Sequence, residues 1–560
     1  MTRPFQIVTK PAAVLNTRFL RGLIAARAGC PPITSVVPIC LVLFAIVLCA
    51  GVRYRLRAMP LERDEGEYAY AGQLLLQGIP PYQLAYTMKL PGTHVAYAAL
   101  LAAFGQTPEG IRVGLLLVNA ATTLLVFYLA TELCGTLAGA VAAASWALLS
   151  TSPSVLGFAA HATHFVILAA LAGILVLRRA IEKKRVALIF CSGLFLGIAF
   201  LMKQPAILFL IVAGLYVFRS WSKGKTGWRD LALDMTALAT GGVLPFLASC
   251  LFMVQAGVFN VFWFWTYSYS HQYVSQASAG EAFVMLGIGL YRVIRPVWAI
   301  WVLASVGLVV LVSGYRARAA SSFVGWFLFA CFLAVCPGFY FRPHYFILLL
   351  PAIAILVGLA VSHATGKVRA CHRSKVLRAI PLLIFLTAFS YTVFTEREFL
   401  FEMDPRAACR YLYVSNTFPE AVDVARFIRD HTSPDVRIAV LGSEPEIYFY
   451  AHRHSATGYI YTYGLMEEQP YAATMQREMI AEIERSRPEY LVYVDNSRSW
   501  GTRPGSKLLI FSWAKNYLHE NYVPVEVVPD AHTQDRESQA GRPDSPFPKP
   551  TLFLFKRTSS

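Results

Sequence analysis

The stretch Arg63-Asp64-Glu65-Gly66-Glu67-Tyr68, running on through Tyr82 to Met88-Lys89-Leu90-Pro91, stands directly after the first long apolar run of the chain. Acidic residues so close to a membrane-spanning run serve either as a helix cap or as a reaction centre. Asp64 and Glu67 have the D-x-x-E spacing of a capping box, in which Asp64 would start the helix that follows. In the other reading Asp64 is a general base, taking a proton from an acceptor hydroxyl as it attacks an activated carbon. Both roles are compatible. Glu65 is the neighbouring catalytic candidate, because adjacent carboxylates repel and the pKa of one rises.

The surroundings of this stretch define a polytopic α-helical membrane protein. In 560 residues, 56% are hydrophobic and 15% charged, which is not the make-up of an average soluble protein. The net charge of +17 does not mark a nucleic-acid binder, since the basic residues are not gathered on one domain. They recur between apolar runs, at Arg178 to Arg185, Arg219 to Arg229, Arg316 to Arg318 and Lys367 to Arg378, the pattern of cytoplasmic loops. Of the ten cysteines only Cys409 falls in the C-terminal region, so no disulfide framework is expected there.

Residues 1–33 read as a basic cytoplasmic segment, followed by a signal anchor from Thr34 to Val52. The acidic stretch then lies outside. The next apolar run, His94 to Phe104, is too short for a bilayer that needs about 20 residues. If it crossed, the basic clusters would all lie outside, so it is read as a surface helix. Residues 54–110 thus form one long external loop with helices at 65–77 and 93–104, the first closed by Gly78 and Pro80-Pro81. Further spans at 111–131, 138–155, 161–177, 186–202, 204–218, 232–254, 297–313, 322–338, 345–362 and 379–395 bring the total to about eleven. An odd number puts the C-terminus outside. A loop at 256–296 carries an aromatic run, read as an interface belt or a sugar-stacking surface.

From Glu396 the composition becomes that of a small α/β domain, 396–560. Strands are expected at Arg437–Leu441, Tyr490–Asp495, Val523–Val528 and Thr551–Phe555, helices at 419–431, 467–486 and 506–519, and a loop or disordered segment at 530–550.

Cations at predicted outer ends are the other half of a phosphate site: Lys89, Lys203 in Met202-Lys203-Gln204-Pro205, and Arg342 with His344 in Phe341-Arg342-Pro343-His344-Tyr345. Each could simply snorkel to the interface. Together they offer a clamp for a phosphate leaving group. His161 and His164, three apart on one helix face, could contact substrate or hold a metal.

The order Asp64, Glu65, Tyr68, then Gly78 and Tyr82, then Lys89 and Pro91 resembles the first external loop of GT-C glycosyltransferases, in the dolichyl-phosphate-mannose–protein mannosyltransferase-like and lipid A aminoarabinose transferase-like branch. The resemblance covers the membrane part and extends weakly to Gly442–Tyr450 and Pro488–Asp495. It implies a transmembrane catalytic domain over 34–395 and transfer of a sugar, with inversion, from a polyprenyl-phosphate carrier at the outer face of a bacterial inner membrane. It singles out Asp64 over Glu65 and leaves a lipid, glycan or protein as acceptor; the substrate-binding candidates are Tyr68, Tyr82, Lys89, His161, His164, Lys203, Arg342 and His344. No cofactor is required by it, although a divalent metal is possible. Two departures stand out. Many members have Lys-Pro-Pro where this chain has Lys89-Leu90-Pro91, and many carry an acidic residue where it has His161-Ala162-Thr163-His164. The competing class is a transporter or flippase for a lipid-linked sugar, but the spans are almost uncharged in their middles, where such proteins place ionisable groups. A non-catalytic receptor, with ligand on the C-terminal domain, is the third.

Overall fold

The computed structural model describes residues 33–224, 227–274, 279–313, 318–525 and 551–558. The expected N-terminal cytoplasmic segment, up to residue 32, and the expected loop at 530–550 lie outside them. Eight of the described helices are long and apolar enough to cross a membrane: Val36–Arg55, Pro108–Cys134, Ala162–Lys183, Gln204–Lys223, Trp228–Gln255, Gly280–Val312, Leu350–Cys371 and Lys375–Thr395. Three shorter apolar helices, Thr136–Leu149, Val186–Met202 and Ser321–Val335, coincide with remaining predicted spans, and Gly92–Phe104 coincides with the predicted surface helix.

Local sequence sets the helix ends. Thr107 accepts a hydrogen bond from Gly110 N ahead of Pro108, and Gly135 ends that helix at φ +93°. Between Val186–Met202 and Trp228–Gln255 the contact is backbone on backbone. A Cβ added to Gly193, Gly197 or Gly241 would meet a carbonyl oxygen of the facing helix at 2.4 Å or less. Small residues of this kind let membrane helices approach where apolar burial gives no driving force.

Two sequence expectations are corrected. The first-loop helix is Arg63–Leu76, and its cap is Glu62 rather than Asp64. The Glu62 side chain accepts from Glu65 N and the Glu65 side chain accepts from Glu62 N, so the same box spacing occurs two residues earlier. Asp64 is thereby inside the first turn and its carboxylate is free of capping. The second concerns the external loop expected at 256–296. Its latter half is helical at Ala279–Ile294, which passes through a short turn at Arg295–Val297 into Trp298–Val312. Pro296, which lacks an N–H to donate, interrupts one long apolar segment there rather than bounding it.

The C-terminal region holds a five-stranded sheet of β1 (Arg437–Leu441), β2 (His454–Ser455), β3 (Tyr490–Asp495), β4 (Tyr522–Val525) and β5 (Thr551–Arg557) in the order β2-β1-β3-β5-β4. The first three strands run parallel and the β5 pairings are antiparallel. Helices Phe418–His431, Ala472–Ser486 and Leu509–Asn521 lie within a few residues of their expected ranges.

This α/β unit rests on the first loop. Tyr450 Oη accepts from Leu61 N at 2.8 Å, Tyr70 Oη accepts from Ser455 N at 2.8 Å, and Tyr86 N donates to Gly458 O at 2.7 Å. At the centre of the contact Gly66 lies against Glu446, where an added Cβ would come within 2.6 Å of Glu446 N. A valine there must push the two elements apart, and overpacking of this kind costs about 1–3 kcal/mol. Gly66→Val is therefore expected to lower the thermal unfolding midpoint in detergent and to speed proteolytic release of the C-terminal unit, both read against the unsubstituted protein.

Candidate functional site

One cavity of about 190 Å³ lies where the first loop, the ends of several spans and the C-terminal unit meet. Asp64, Glu67, Tyr68 and Lys89 come to it from the first loop, His161 and Lys203 from helix ends, and Arg342, His344 and Tyr345 from the segment before Leu350–Cys371. Tyr461, Tyr463 and Gly464 of the C-terminal unit complete the wall. These helix ends thus share one face of the bundle. The Glu132–Arg178 ion pair joins the opposite ends of Pro108–Cys134 and Ala162–Lys183.

Lys89 organises the first-loop side. Its Nζ donates to Asp64 Oδ1 and to Glu67 Oε2, both at 2.7 Å, and stands 4.4 Å from the centre of the Tyr68 ring. Thr87 Oγ1 donates to the other oxygen of Glu67, and Tyr82 Oη donates to Lys89 O at 2.8 Å. Burial by itself raises a carboxyl, but the Lys89 ammonium overrides it and holds Asp64 well below the usual carboxylate range. For Glu67 burial prevails over Lys89 and the shift is upward. Lys89 is itself raised well above its ordinary value, because Asp64 and Glu67 outweigh its burial.

Lys203 and Arg342 line the same cavity without a carboxylate in salt-bridge contact among the described residues. Lys203 Nζ lies 3.7 Å from the centre of the Tyr345 ring, and the Arg342 guanidinium 5.6 Å from that of Tyr340. Burial brings Lys203 down to about 7, against the pull of Asp64 and with help from Lys89 and Arg342. Two cations facing a cavity in this way make a receptor for an anion.

His161 and His344 stack face to face, with ring centroids 4.0 Å apart. His344 Nε2 is 3.9 Å from Asp64 Oδ2, and His161 Nδ1 is 3.6 Å from Glu62 Oε1. Burial takes His161 down to about 3 and His344 well below its ordinary value, so both rings are neutral near pH 7. One ligand atom each from Asp64, His161 and His344 lie within 4.8 Å of one another, a grouping that could gather a cation. Lys89 stands on the other oxygen of the same carboxylate, Oδ1.

The remaining candidates fall elsewhere. Glu65 does not line the cavity: Arg112 Nη2 donates to it at 2.7 Å and Ala160 N at 2.5 Å, so it anchors the turn that carries His161. His164 is buried off the cavity, one turn into the helix from His161 and outside the Asp64 grouping. Tyr82 is buried beneath Lys89, edge-on to Phe262. The aromatic run divides by face. Trp265, Tyr269 and Tyr273, four residues apart through a π-helical turn at Phe264–Tyr269, line the cavity, whereas Trp263 and Tyr267 are exposed and stack on each other. Tyr461 and Tyr463, absent from the sequence expectations, were signalled only by the alternation Tyr459, Tyr461, Tyr463.

Residues 91–248 match the family model described as dolichyl-phosphate-mannose-protein mannosyltransferase. No curated protein matches the chain. Among solved structures, ArnT from Cupriavidus metallidurans in the apo state has 15% identity and a TM-score of 0.55, over 91% of this chain and 97% of that one. The same protein bound to undecaprenyl phosphate gives 17% identity and 0.54, over 92% and 97%. The archaeal oligosaccharyltransferase AglB from Archaeoglobus fulgidus, in complex with an inhibitory peptide and a dolichol-phosphate, has 14% identity and a TM-score of 0.49, over 81% and 69%. The fold is thus that of a polytopic membrane protein with a small C-terminal sheet unit. That fold is similar to the fold of ArnT, and residues 91–248 are similar to the mannosyltransferase family model.

Removing Lys89 would strand two carboxylates with little solvent, and breaking a buried pair from one side costs about 3–5 kcal/mol. Lys89→Met is expected to lower the unfolding midpoint, and Lys89→Met with Glu67→Gln to recover part of the loss. Thermal unfolding followed by tryptophan fluorescence measures both.

Proposed function

We propose that the protein is an inverting glycosyltransferase that moves a sugar from a polyprenyl-phosphate donor to an acceptor at the outer face of the membrane. The observation that carries the reading is the pairing, across one cavity, of a carboxylate held ionised with two cations that have no carboxylate in salt-bridge contact. Lys203 and Arg342 hold the donor phosphate and stabilise the charge that develops as it leaves. Asp64, kept ionised by Lys89, accepts a hydrogen bond from the acceptor hydroxyl and orients it toward the anomeric carbon. Trp265, Tyr269, Tyr461 and Tyr463 supply apolar ring faces suited to sugar rings. A similar solved structure supports a lipid phosphate as the carrier: ArnT was solved with undecaprenyl phosphate. The proposed site draws on both the catalytic unit 34–395 and the extracytoplasmic unit 396–560, with the N-terminus in the cytoplasm of a bacterial inner membrane.

The test is transfer by the purified protein in nanodiscs, supplied with polyprenyl-phosphate-linked hexoses and pentoses and with lipid, glycan and peptide acceptors. Asp64→Asn is expected to lower transfer by about 10²-fold or more, and the Lys203→Met and Arg342→Met variants to weaken donor binding. Sustained uptake into sealed vesicles with no glycosidic product would replace the reading with a transporter.

Lys203 adds a pH signature. With its pKa lowered to about 7, the free amine loses its charge as pH rises through neutrality, while a bound phosphate restores that charge. Affinity for a polyprenyl phosphate is therefore full below pH 7 and falls above it, by at most about tenfold per pH unit for one group. Lys203→Arg, which stays charged, should flatten the profile in titration calorimetry between pH 6 and 9, where wild type slopes.

A further inference from the structure

A second cavity, of about 360 Å³, lies where the span Lys375–Thr395 ends. That volume is in the range of small-molecule sites, about 300–1,000 Å³. Three separate parts of the chain build its walls. Pro153, Ser154 and Leu156 belong to the loop that leads on to His161, Pro296 is the interruption within Gly280–Val312, and the remainder follows the last span, from Thr395 to Leu412. None of these residues lines the cavity that holds Asp64.

The wall carries two carboxylates and, among the described residues, no cation. Glu396 is 6% exposed; Ser152 Oγ donates to its Oε1 at 2.5 Å, while Oε2 has no hydrogen-bond partner among the described residues. Glu398, two residues on, is exposed. Neither has a salt-bridge partner among the described residues. A buried carboxylate satisfied on one side is costly, and burial lifts Glu396 to about 7, so near neutral pH it is divided between its acid and ionised forms. An ammonium in the cavity would draw it to the ionised form. Oε2 is shielded from water, but a shielded charge is little screened and attracts across the wall, and Glu398 supplies the carboxylate that a ligand can touch.

Arginines flank the acids. Arg397, between them, donates to Phe394 O at 3.0 Å and lies 4.3 Å from the centre of the Phe394 ring, and Arg295, next to Pro296, lies 5.6 Å from that of Tyr291. Neither has a carboxylate in salt-bridge contact among the described residues. The surface beyond is aromatic: Trp298 and Tyr391 meet edge to face at 5.9 Å, and both, with Phe394, are exposed. Exposed Trp and Tyr at the end of an apolar span are the residues that sit at lipid head-group depth.

We propose that this cavity binds the head group of a phospholipid with a primary ammonium, a phosphatidylethanolamine, placing the ammonium against Glu398 and Glu396 and the phosphate against Arg397 and Arg295. A primary ammonium is favoured over a quaternary one because carboxylates accept from N–H donors, which a trimethylammonium lacks. The two rings in the wall, Phe399 and Tyr411, rest on each other with centroids 5.6 Å apart instead of standing apart as a cage. The position at a span end, beside exposed rings, favours a lipid over a soluble amine. Binding here is independent of the glycosyl-transfer reading.

The test is native mass spectrometry of the full chain from mixed micelles holding equal amounts of phosphatidylethanolamine, phosphatidylcholine and phosphatidylglycerol with the same acyl chains. Phosphatidylethanolamine is expected to be retained about tenfold over phosphatidylcholine, the factor that one charge-assisted hydrogen bond supplies. Glu398→Gln, at an exposed position, should cut that preference about threefold or more, and adding Glu396→Gln should abolish it. Arg295→Gln with Arg397→Gln should lower retention of both zwitterionic lipids and keep the ratio between them. A preference unchanged by Glu398→Gln, or phosphatidylcholine or phosphatidylglycerol retained as well as phosphatidylethanolamine by the unsubstituted protein, would overturn the assignment. Displacement of the lipid by equimolar glycerophosphoethanolamine would overturn it too, by making the ligand a soluble amine.

Discussion

The ammonium of Lys89, set between Asp64 and Glu67, is the contact on which the site depends. Two carboxylates one helical turn apart, both largely out of water, would repel and protonate without it. With it, Asp64 stays ionised beside a cavity that also contains Lys203 and Arg342, and positive and negative charge face each other across the space a substrate would fill. The same lysine carries structure outward. Its carbonyl takes the Tyr82 hydroxyl and its chain passes to Pro91, the cap of the short apolar helix Gly92–Phe104. Charge placement and loop shape are thus one problem with one solution.

The C-terminal unit is part of that solution rather than an appendage. Arg63, adjacent to Asp64, donates to Ser443 O at 2.6 Å and to Tyr463 Oη at 2.8 Å, and pairs with the buried Glu444. The first-loop helix therefore presents one face to the cavity and another to the sheet unit. The tyrosines that the sheet unit sends back, Tyr461 and Tyr463, close the wall opposite the membrane helices.

Much of this was legible in the chain. Apolar run lengths and the spacing of basic clusters set the helical layout, and the strands at Arg437–Leu441 and Tyr490–Asp495 followed from β-branched and aromatic runs. Asp64 stood out by its acidic cluster and the resemblance, His161 by its spacing to His164, and Lys89, Lys203, Arg342 and His344 by lying at predicted outer ends, where the positive-inside pattern does not expect cations. What could not be read is direction. A capping box at Asp64 and Glu67 and one at Glu62 and Glu65 have identical spacing, and only tertiary packing selects between them. Glu65 and His164 were indistinguishable in sequence from neighbours that face the cavity, because a turn of helix separates those roles. Pro296 hid the continuity of Gly280–Val312 by mimicking a boundary.

The aromatic segment Phe259–Val274 has two audiences. On one side Trp263 and Tyr267 present stacked rings outward, and on the other Trp265 and Tyr269 are cavity wall. The π turn between them rotates the inner residues without breaking the backbone ladder. Rigid-body tilting of this short helix against the rest of the bundle would therefore move the exposed rings and reshape the cavity together.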